Sequence, residues 1–129
     1  YRQYPFMYAK AYRRIFDRLL ADDRIVIHCT AGKDRAGMAS AMVLTALGVS
    51  KDVVLSDYLL TNEYWDRGGR ERPDMDADTV AMIFAAREEY FDAAFAGIGE
   101  RYESLDEYLT AEVGLTATDR ARLREMYLE

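Results

Sequence analysis

Apolar residues recur at helical spacing near the start of the chain. From Pro5 to about Ala21 they lie three or four positions apart, with charged residues mostly on the other faces, which predicts an amphipathic helix. The next run, residues 24–28, is rich in β-branched side chains and is typical of a strand buried on both faces. A nearly uniformly apolar stretch over 36–47 predicts a buried helix, and Gly48 is placed to end it.

Capping residues mark four further helices. Ser-initiated and Asp-initiated segments predict helices over 50–64 and 76–96, and capping-box sequences beginning at Ser104 and Thr116 predict the last two. Residues 65–75 are polar and contain glycine and proline, which indicates a loop or the rim of an active site. Three arginines of this loop either bind an acidic substrate or are simply solvated. They are Arg67, Arg70 and Arg72.

A single strand does not make a sheet. A parallel strand buried on both faces needs neighbouring strands, and residues 1–129 contain one convincing candidate. We therefore expect an α/β fold in which residues 1–129 are the C-terminal part of one domain, with a loop at 28–36 and a helical remainder at 50–129. The other strands are expected upstream or in another chain. The alternative is a purely helical domain in which 24–28 is a short connector.

Charge and cysteine content narrow the class of function. Residues 1–37 carry eight Lys or Arg against four acids, whereas the rest of the chain carries nine against nineteen, for a net charge of −6. Such an acidic chain is not expected to bind nucleic acid, whereas its basic part suits a small anion. No stretch approaches the ~20 apolar residues of a membrane span, and no signal peptide is evident. Cys29 is the only cysteine, which favours the cytoplasm but leaves export without a recognisable signal open.

A cysteine and an arginine separated by five residues join the predicted strand to the predicted helix. Residues 28–35 read His-Cys-Thr-Ala-Gly-Lys-Asp-Arg. Backbone N–H groups in such a loop bind anions, Gly32 permits a positive φ, and Arg35 can hold two phosphoryl oxygens with its planar fork. Lowering the pKa of Cys29 by ~3 units requires ~4 kcal/mol, whereas a helix terminus supplies ~0.3 to 2. The loop amides and Arg35 must therefore stabilise the thiolate directly.

The motif resembles that of the Cys-x5-Arg phosphatases, and the whole string resembles in particular the atypical bacterial tyrosine and phosphoinositide phosphatases. Residues 56–62, 108–116 and 123–124 extend the resemblance, which falls on the C-terminal half of that family. It implies a protein-tyrosine-phosphatase-like α/β fold with a strand, loop and helix core. It also implies hydrolysis of phosphate monoesters on phosphorylated proteins or phosphoinositides, with no metal or cofactor.

The same resemblance assigns roles within the loop. Cys29 would be the nucleophile that forms a phosphocysteine, Arg35 the phosphate clamp, and Asp34 the general acid. Lys33 would contact polyanionic lipid headgroups. Independently of the resemblance, His28, the sole histidine, is expected to position the cysteine backbone, with acid–base catalysis as the alternative. The open alternatives are that Asp34 only caps the helix and that Lys33 is a solvated charge. The predicted substrate-binding residues are Thr30, Ala31, Gly32, Lys33, Asp34 and Arg35.

One position departs from the family pattern. Ala36 stands where a threonine or serine hydroxyl usually helps the sulfur to leave, which puts hydrolysis of the intermediate in doubt. The prediction is a phosphatase, and the alternative is a catalytically weak module that binds phosphorylated ligands. Sulfur transfer or arsenate reduction is a third, weaker hypothesis. A nucleotide-binding loop is disfavoured because Lys33 is not followed by Ser or Thr, and adjacent His28 and Cys29 do not make a metal site.

Overall fold

The computed structural model describes residues 1–65 and 73–129, and the regular structure within these two ranges is helical. No helix among them is long and apolar enough to cross a membrane. In chain order the helices are α1 (Tyr4–Met7), α2 (Ala9–Leu20), α3 (Arg35–Ala46), α4 (Lys51–Leu59), α5 (Thr61–Tyr64), α6 (Ala77–Phe84), α7 (Glu88–Gly99), α8 (Leu105–Ala111) and α9 (Ala117–Tyr127).

The predicted strand at 24–28 is not formed. Residues 23–29 have no regular secondary structure, and Val26 is 85% exposed. A strand is held by hydrogen bonds to a neighbouring strand, and residues 1–65 and 73–129 contain no other strand to supply them. The helical part of the fold prediction is confirmed, whereas the sheet is not seen. Within the described residues, 24–28 is a connector between α2 and α3.

Three of the predicted helices are interrupted. The helix predicted near the start divides at Tyr8, whose backbone is not helical (φ −107°, ψ 8°). The helix predicted over 50–64 is divided by a turn at Leu60, whose own backbone angles stay helical (φ −57°, ψ −22°). The helix predicted over 76–96 breaks at residues 85–87, where Ala85 and Arg87 are extended with ψ 142°. The last interruption matters most, because it makes a corner that contacts the loop at 28–36.

Several helix ends follow the predicted capping signals. Thr116 and Asp119 form the reciprocal capping box predicted for α9. Ser104 accepts a hydrogen bond from the backbone N–H of Glu107 at 3.1 Å at the start of α8. Gly48 follows α3 with φ +89°, the left-handed conformation that ends a helix most readily in glycine. The box predicted for α9 and the end predicted for α3 are confirmed. The box predicted at Ser104 is only half formed, because the Glu107 side chain accepts from the N–H of Glu103 instead. Ser50 precedes α4 but makes no side-chain capping hydrogen bond, so the cap predicted there is wrong.

Helix α3 lies at the centre of the packing and presents its first turn to the loop. It packs against α2 and α4, and α4 packs against α7. Met38 and Met42 of α3 are buried. A Cβ at Gly37 would lie 3.1 Å from the ring of Tyr58, so glycine allows α4 to approach α3 closely. The buried α3 therefore fixes the start of the helix against which the loop is folded.

Candidate active site

The loop between Cys29 and α3 folds back on the sulfur. The backbone N–H of Gly32 donates a hydrogen bond to Cys29 Sγ at 3.2 Å. Gly32 has φ +76°, and a Cβ built there would meet nothing within 4 Å. Conformation rather than space therefore requires glycine at this position. The turn brings a backbone donor to the only thiol of the chain.

The surroundings of Cys29 favour its ionised form. Burial opposes ionisation and is the largest single influence on the thiol. Hydrogen bonds from the backbone N–H groups of Ala36, Gly32 and Ala31, with the positive charge of Arg35, outweigh it and hold the pKa of Cys29 below its ordinary value. The loop thus favours the thiolate, which is the form in which a cysteine acts as a nucleophile.

Arg35 crosses the loop as the first residue of α3. Its Nη2 donates to Thr30 Oγ1 at 3.0 Å, and its side chain is otherwise exposed. A guanidinium carries five N–H donors, so this bond leaves others that can bind an anion. Thr30 thereby orients Arg35 across the same turn whose amides surround the sulfur.

A cavity of about 500 Å³ opens beside the thiol. Its wall on the α2 side is formed by Tyr8, Tyr12 and Ile15, and the opposite wall includes Cys29 and Arg35. The space is large enough to admit a small organic group.

Asp34 is held by contacts from outside the loop. The hydroxyl of Tyr1 donates to Asp34 Oδ1, and Lys33 Nζ lies 3.2 Å from the same oxygen. Burial, together with the hydrogen bond to Asp34, raises the pKa of Tyr1, which keeps the phenol a neutral donor. Asp34 occupies the N-cap position of α3 but makes no side-chain capping bond. The capping alternative is therefore not what the structure shows.

Lys33 is buried rather than solvated. Only 4% of the residue is exposed, and Nζ donates to the carbonyl oxygens of Ile83 at 2.8 Å and Ala85 at 3.2 Å. With Asp34 these partners account for the three N–H donors of an ammonium group. The solvated-charge alternative is wrong. The predicted contact with a lipid headgroup would require Lys33 to give up one of these partners.

Two aromatic residues that the sequence reasoning missed lie over this side of the loop. Tyr1 stacks on Tyr90 of α7 with ring centroids 4.2 Å apart. The Lys33 ammonium lies 6.0 Å from the Tyr90 centroid, within the range of a cation–π contact. No spacing signal connects Tyr1 to residues 33 and 90, because the three meet only when α7 packs against the start of the chain.

The remaining predicted residues are placed less closely. His28 is exposed and lies at the edge of the cavity, and its role in positioning the cysteine backbone stays a prediction. The three rim arginines, Arg67, Arg70 and Arg72, lie outside the described residues. The structure thus brings together Cys29, Thr30, Gly32 and Arg35 on one side of the loop, and Lys33 with Asp34 on the other.

Comparison with known proteins gives a consistent answer. A family model described as "Tyrosine phosphatase family" matches residues 1–129. The chain is 33% identical over 147 residues to the "Triple specificity protein phosphatase PtpB" of Mycobacterium tuberculosis, covering 99% of this chain and 53% of that protein. It is 30% identical over 134 residues to the "Putative tyrosine-protein phosphatase H16_A0669" of Cupriavidus necator, covering 99% and 48%. The chain thus spans about half the length of these curated relatives.

Proposed function

The chain belongs to the tyrosine phosphatase family, and from this premise we propose that it hydrolyses phosphate monoesters through a phosphoryl intermediate on Cys29. The observation that carries the proposal is the sulfur's environment. Backbone N–H groups and Arg35 lower the pKa of Cys29, and the same groups suit the oxygens of a phosphoryl group. One arrangement of donors can therefore stabilise first the thiolate and then the transition state.

In the first step the thiolate attacks phosphorus. A bond forms between Cys29 Sγ and phosphorus while the bond from phosphorus to the ester oxygen breaks. Arg35 and the loop N–H groups hold the three remaining phosphoryl oxygens. Asp34 donates its proton to the leaving oxygen, so the products are a phenol or alcohol and a phosphocysteine. Among the described residues the contacts of Asp34 fall on Oδ1, and we assign the proton to Oδ2.

In the second step water hydrolyses the phosphocysteine. Asp34, now a carboxylate, accepts a proton from the water as its oxygen attacks phosphorus, and the bond from phosphorus to sulfur breaks. Inorganic phosphate leaves, the thiolate is restored, and Asp34 is protonated for another turnover. The mechanism needs no electron transfer and no group other than water and these side chains.

We propose phosphotyrosine in proteins as the principal substrate. Phosphoserine, phosphothreonine and phosphoinositides are further candidates, and PtpB is named a triple specificity protein phosphatase. The cavity beside Cys29 and the aromatic cluster near Asp34 favour a phosphorylated aromatic side chain. Because Lys33 is buried and engaged, the geometry does not favour its earlier assignment to lipid headgroups.

We further propose that residues 24–28 pair with strands that the described residues do not supply. Ile25 and Ile27 are only partly buried and Val26 is 85% exposed, which is unusual for three consecutive β-branched residues in a globular domain. In this proposal residues 1–129 are part of one phosphatase domain, with the nucleophile loop at 28–36.

The proposed compartment is the cytoplasm, because a lone cysteine is typical of a reducing environment.

A second function is favoured by one residue. Ala36 is 7% exposed and places a methyl group where a hydroxyl usually assists departure of the sulfur. If the phosphocysteine is hydrolysed very slowly, the protein acts as a module that binds phosphorylated ligands. The anion-binding groups, which are the loop N–H groups and Arg35, would be the same for both functions. We call them the anion cradle.

Rapid-mixing kinetics with an aryl phosphate separates these functions. A phosphatase releases a first equivalent of phenol per Cys29 and continues through many turnovers, with phosphate released in equal amount. Release of one equivalent of phenol without phosphate, or of no phenol with retained vanadate binding, would leave only the binding module. The Cys29→Ser variant controls for contaminating phosphatases.

A further inference from the structure

The corner at residues 85–87 lies next to Lys33 and Asp34 of the loop at 28–36. Lys33 Nζ donates to the carbonyl oxygens of Ile83 at 2.8 Å and Ala85 at 3.2 Å. It also pairs with Asp34 Oδ1 at 3.2 Å. Since these three partners use all the donors of the ammonium, the place of the Asp34 carboxylate depends on where the corner holds Lys33.

A single side chain, Asn62 of α5, forms two hydrogen bonds with the backbone of Ala86 in this corner, and we call this pair of bonds the bracket. Asn62 Nδ2 donates to the carbonyl oxygen of Ala86 at 2.8 Å, and the N–H of Ala86 donates to Asn62 Oδ1 at 2.8 Å. Ala86 is 3% exposed, so its peptide groups would be costly to leave unpaired. The two bonds also fix the amide orientation, because only one end of the amide can donate.

The bracket explains why the helix predicted over 76–96 is interrupted. At Ala86 the backbone N–H bonds to a side chain instead of to the preceding helical turn. The break frees the carbonyl oxygens of Ile83 and Ala85 to accept from Lys33. Asn62 therefore supports the conformation that gives Lys33 its partners.

We propose that Asn62 is a positioning residue for proton donation, acting through Ala86 and Lys33 on Asp34. The inference rests on the proposed function, in which Asp34 protonates the leaving oxygen. The hydrogen bonds of Asn62 within the described residues go to Ala86 and not to the loop. Thiolate formation and anion binding should therefore be independent of Asn62.

Two substitutions test the bracket at different strengths. Asn62→Asp is nearly isosteric and keeps an acceptor for the Ala86 N–H, but it loses the donor to the Ala86 carbonyl. Asn62→Ala loses both bonds. Glu63→Gln is the matched control, because Glu63 is the exposed neighbour on the same helix.

The measurement is kcat/KM for a series of aryl phosphates of increasing leaving-group pKa. A positioned general acid contributes on the order of 10²–10⁴-fold, so Asn62→Asp should lose about tenfold with phenyl phosphate and under about threefold with dinitrophenyl phosphate. Vanadate binding and alkylation of Cys29 by iodoacetate should stay as in wild type. In an Asp34→Asn background, Asn62→Asp should not further change how steeply kcat/KM depends on leaving-group pKa.

Equal losses across the series would overturn the proposal, as would an additional effect in the Asp34→Asn background. Failure of both Asn62 variants to fold, judged by circular dichroism, would also overturn it by showing a purely structural role. A different result would count against the acid role in the proposed function. It is a wild-type protein that turns over normally, together with an Asp34→Asn variant whose kcat/KM does not depend on the leaving-group pKa. A wild-type protein without turnover would contradict the proposed function and this inference together.

Discussion

Cys29 and Asp34 are five residues apart, yet their surroundings are built differently. The groups that lower the pKa of Cys29 are backbone N–H groups of its own loop and first helical turn, together with Arg35. The contacts of Asp34 come from Tyr1, 33 residues away, and from Lys33, which is itself held by carbonyls 50 and 52 residues along the chain. The Cys29 thiol therefore has a local environment and the Asp34 carboxylate a tertiary one.

The difference has a functional consequence. A change remote from the loop should leave the thiolate and the anion cradle largely intact, because their donors are within seven residues of the sulfur. The same change can displace Asp34, because its position depends on the packing of α6 and α7 against Lys33. Substitutions in the two environments should therefore give different kinetic signatures.

Removing the sulfur should have the largest effect. Cys29→Ser replaces the thiolate by a hydroxyl that is not ionised at neutral pH, and turnover should fall by about 10⁶-fold, as when other enzymes lose their nucleophile. Vanadate and phosphate should still bind, because the backbone donors and Arg35 remain. Steady-state assay with isothermal titration checks both expectations. Thr30→Ser, which keeps the hydroxyl that accepts from Arg35, is the control and should remain active.

Substitution of Asp34, the proposed general acid, should have the next largest effect, and the effect should differ between substrates. Asp34→Asn should lower kcat/KM by about 10³-fold on phenyl phosphate and far less on dinitrophenyl phosphate, since a good leaving group needs little protonation. Asp57→Asn, an exposed change on α4, should behave as wild type. A uniform loss on both substrates would mean that Asp34 supports the loop rather than donating a proton.

Arg35 allows charge and geometry to be separated. Arg35→Lys keeps the positive charge but loses the planar fork, whereas Arg35→Gln loses both, and each should weaken the reaction by about 10²-fold. The pKa of Cys29, read from the pH dependence of alkylation, should rise clearly only in Arg35→Gln. Profiles that match wild type in both variants would show that the backbone N–H groups alone lower the pKa.

The sign of the pH effect follows from the lowered pKa of Cys29. The ionised sulfur favours the folded state above the unfolded pKa of about 8.5, and this contribution is lost as the pH falls through the folded value. The same lowered pKa should appear in the kinetics. In wild type, kcat/KM should fall on the acid side of its pH profile at a pH below the ordinary pKa of a thiol, and in Arg35→Gln this fall should move to higher pH.

The smallest effect is expected at residue 36. Ala36→Ser restores a hydroxyl near the sulfur and should speed hydrolysis of the phosphocysteine by a few-fold, about what one added hydrogen bond to a charged group provides. Phosphate release after the burst measures this step. Ala39→Ser introduces the same group one turn later on α3 and should not accelerate it. An unchanged rate for Ala36→Ser would show that departure of the sulfur is not limiting.

The sequence predicts the local environment far better than the tertiary one. The motif at 28–35, the positive φ of Gly32 and the capping of α9 are encoded by neighbouring residues, and local patterns are enough to find them. The corner at 85–87 is different, because the segment around it has helical periodicity and is broken by Asn62 and Lys33 from elsewhere in the chain.

The predicted strand is the complementary case. Residues 24–28 have strand composition, but a strand exists only when another pairs with it, and the described residues contain no partner. The burial of Lys33 was missed for a similar reason. A lysine in a polar loop gives no sign that helix α6 will end against it and provide carbonyl acceptors.

The central claim is that Cys29 is phosphorylated during turnover, and rapid acid quenching followed by peptide mass spectrometry tests it most directly. We predict that an aryl phosphate adds one phosphoryl group to the peptide containing Cys29, at a rate matching the burst of phenol. The modification should be absent in Cys29→Ser and should decay as phosphate is released. Turnover without this modification, or with the phosphoryl group on another residue, would contradict the account.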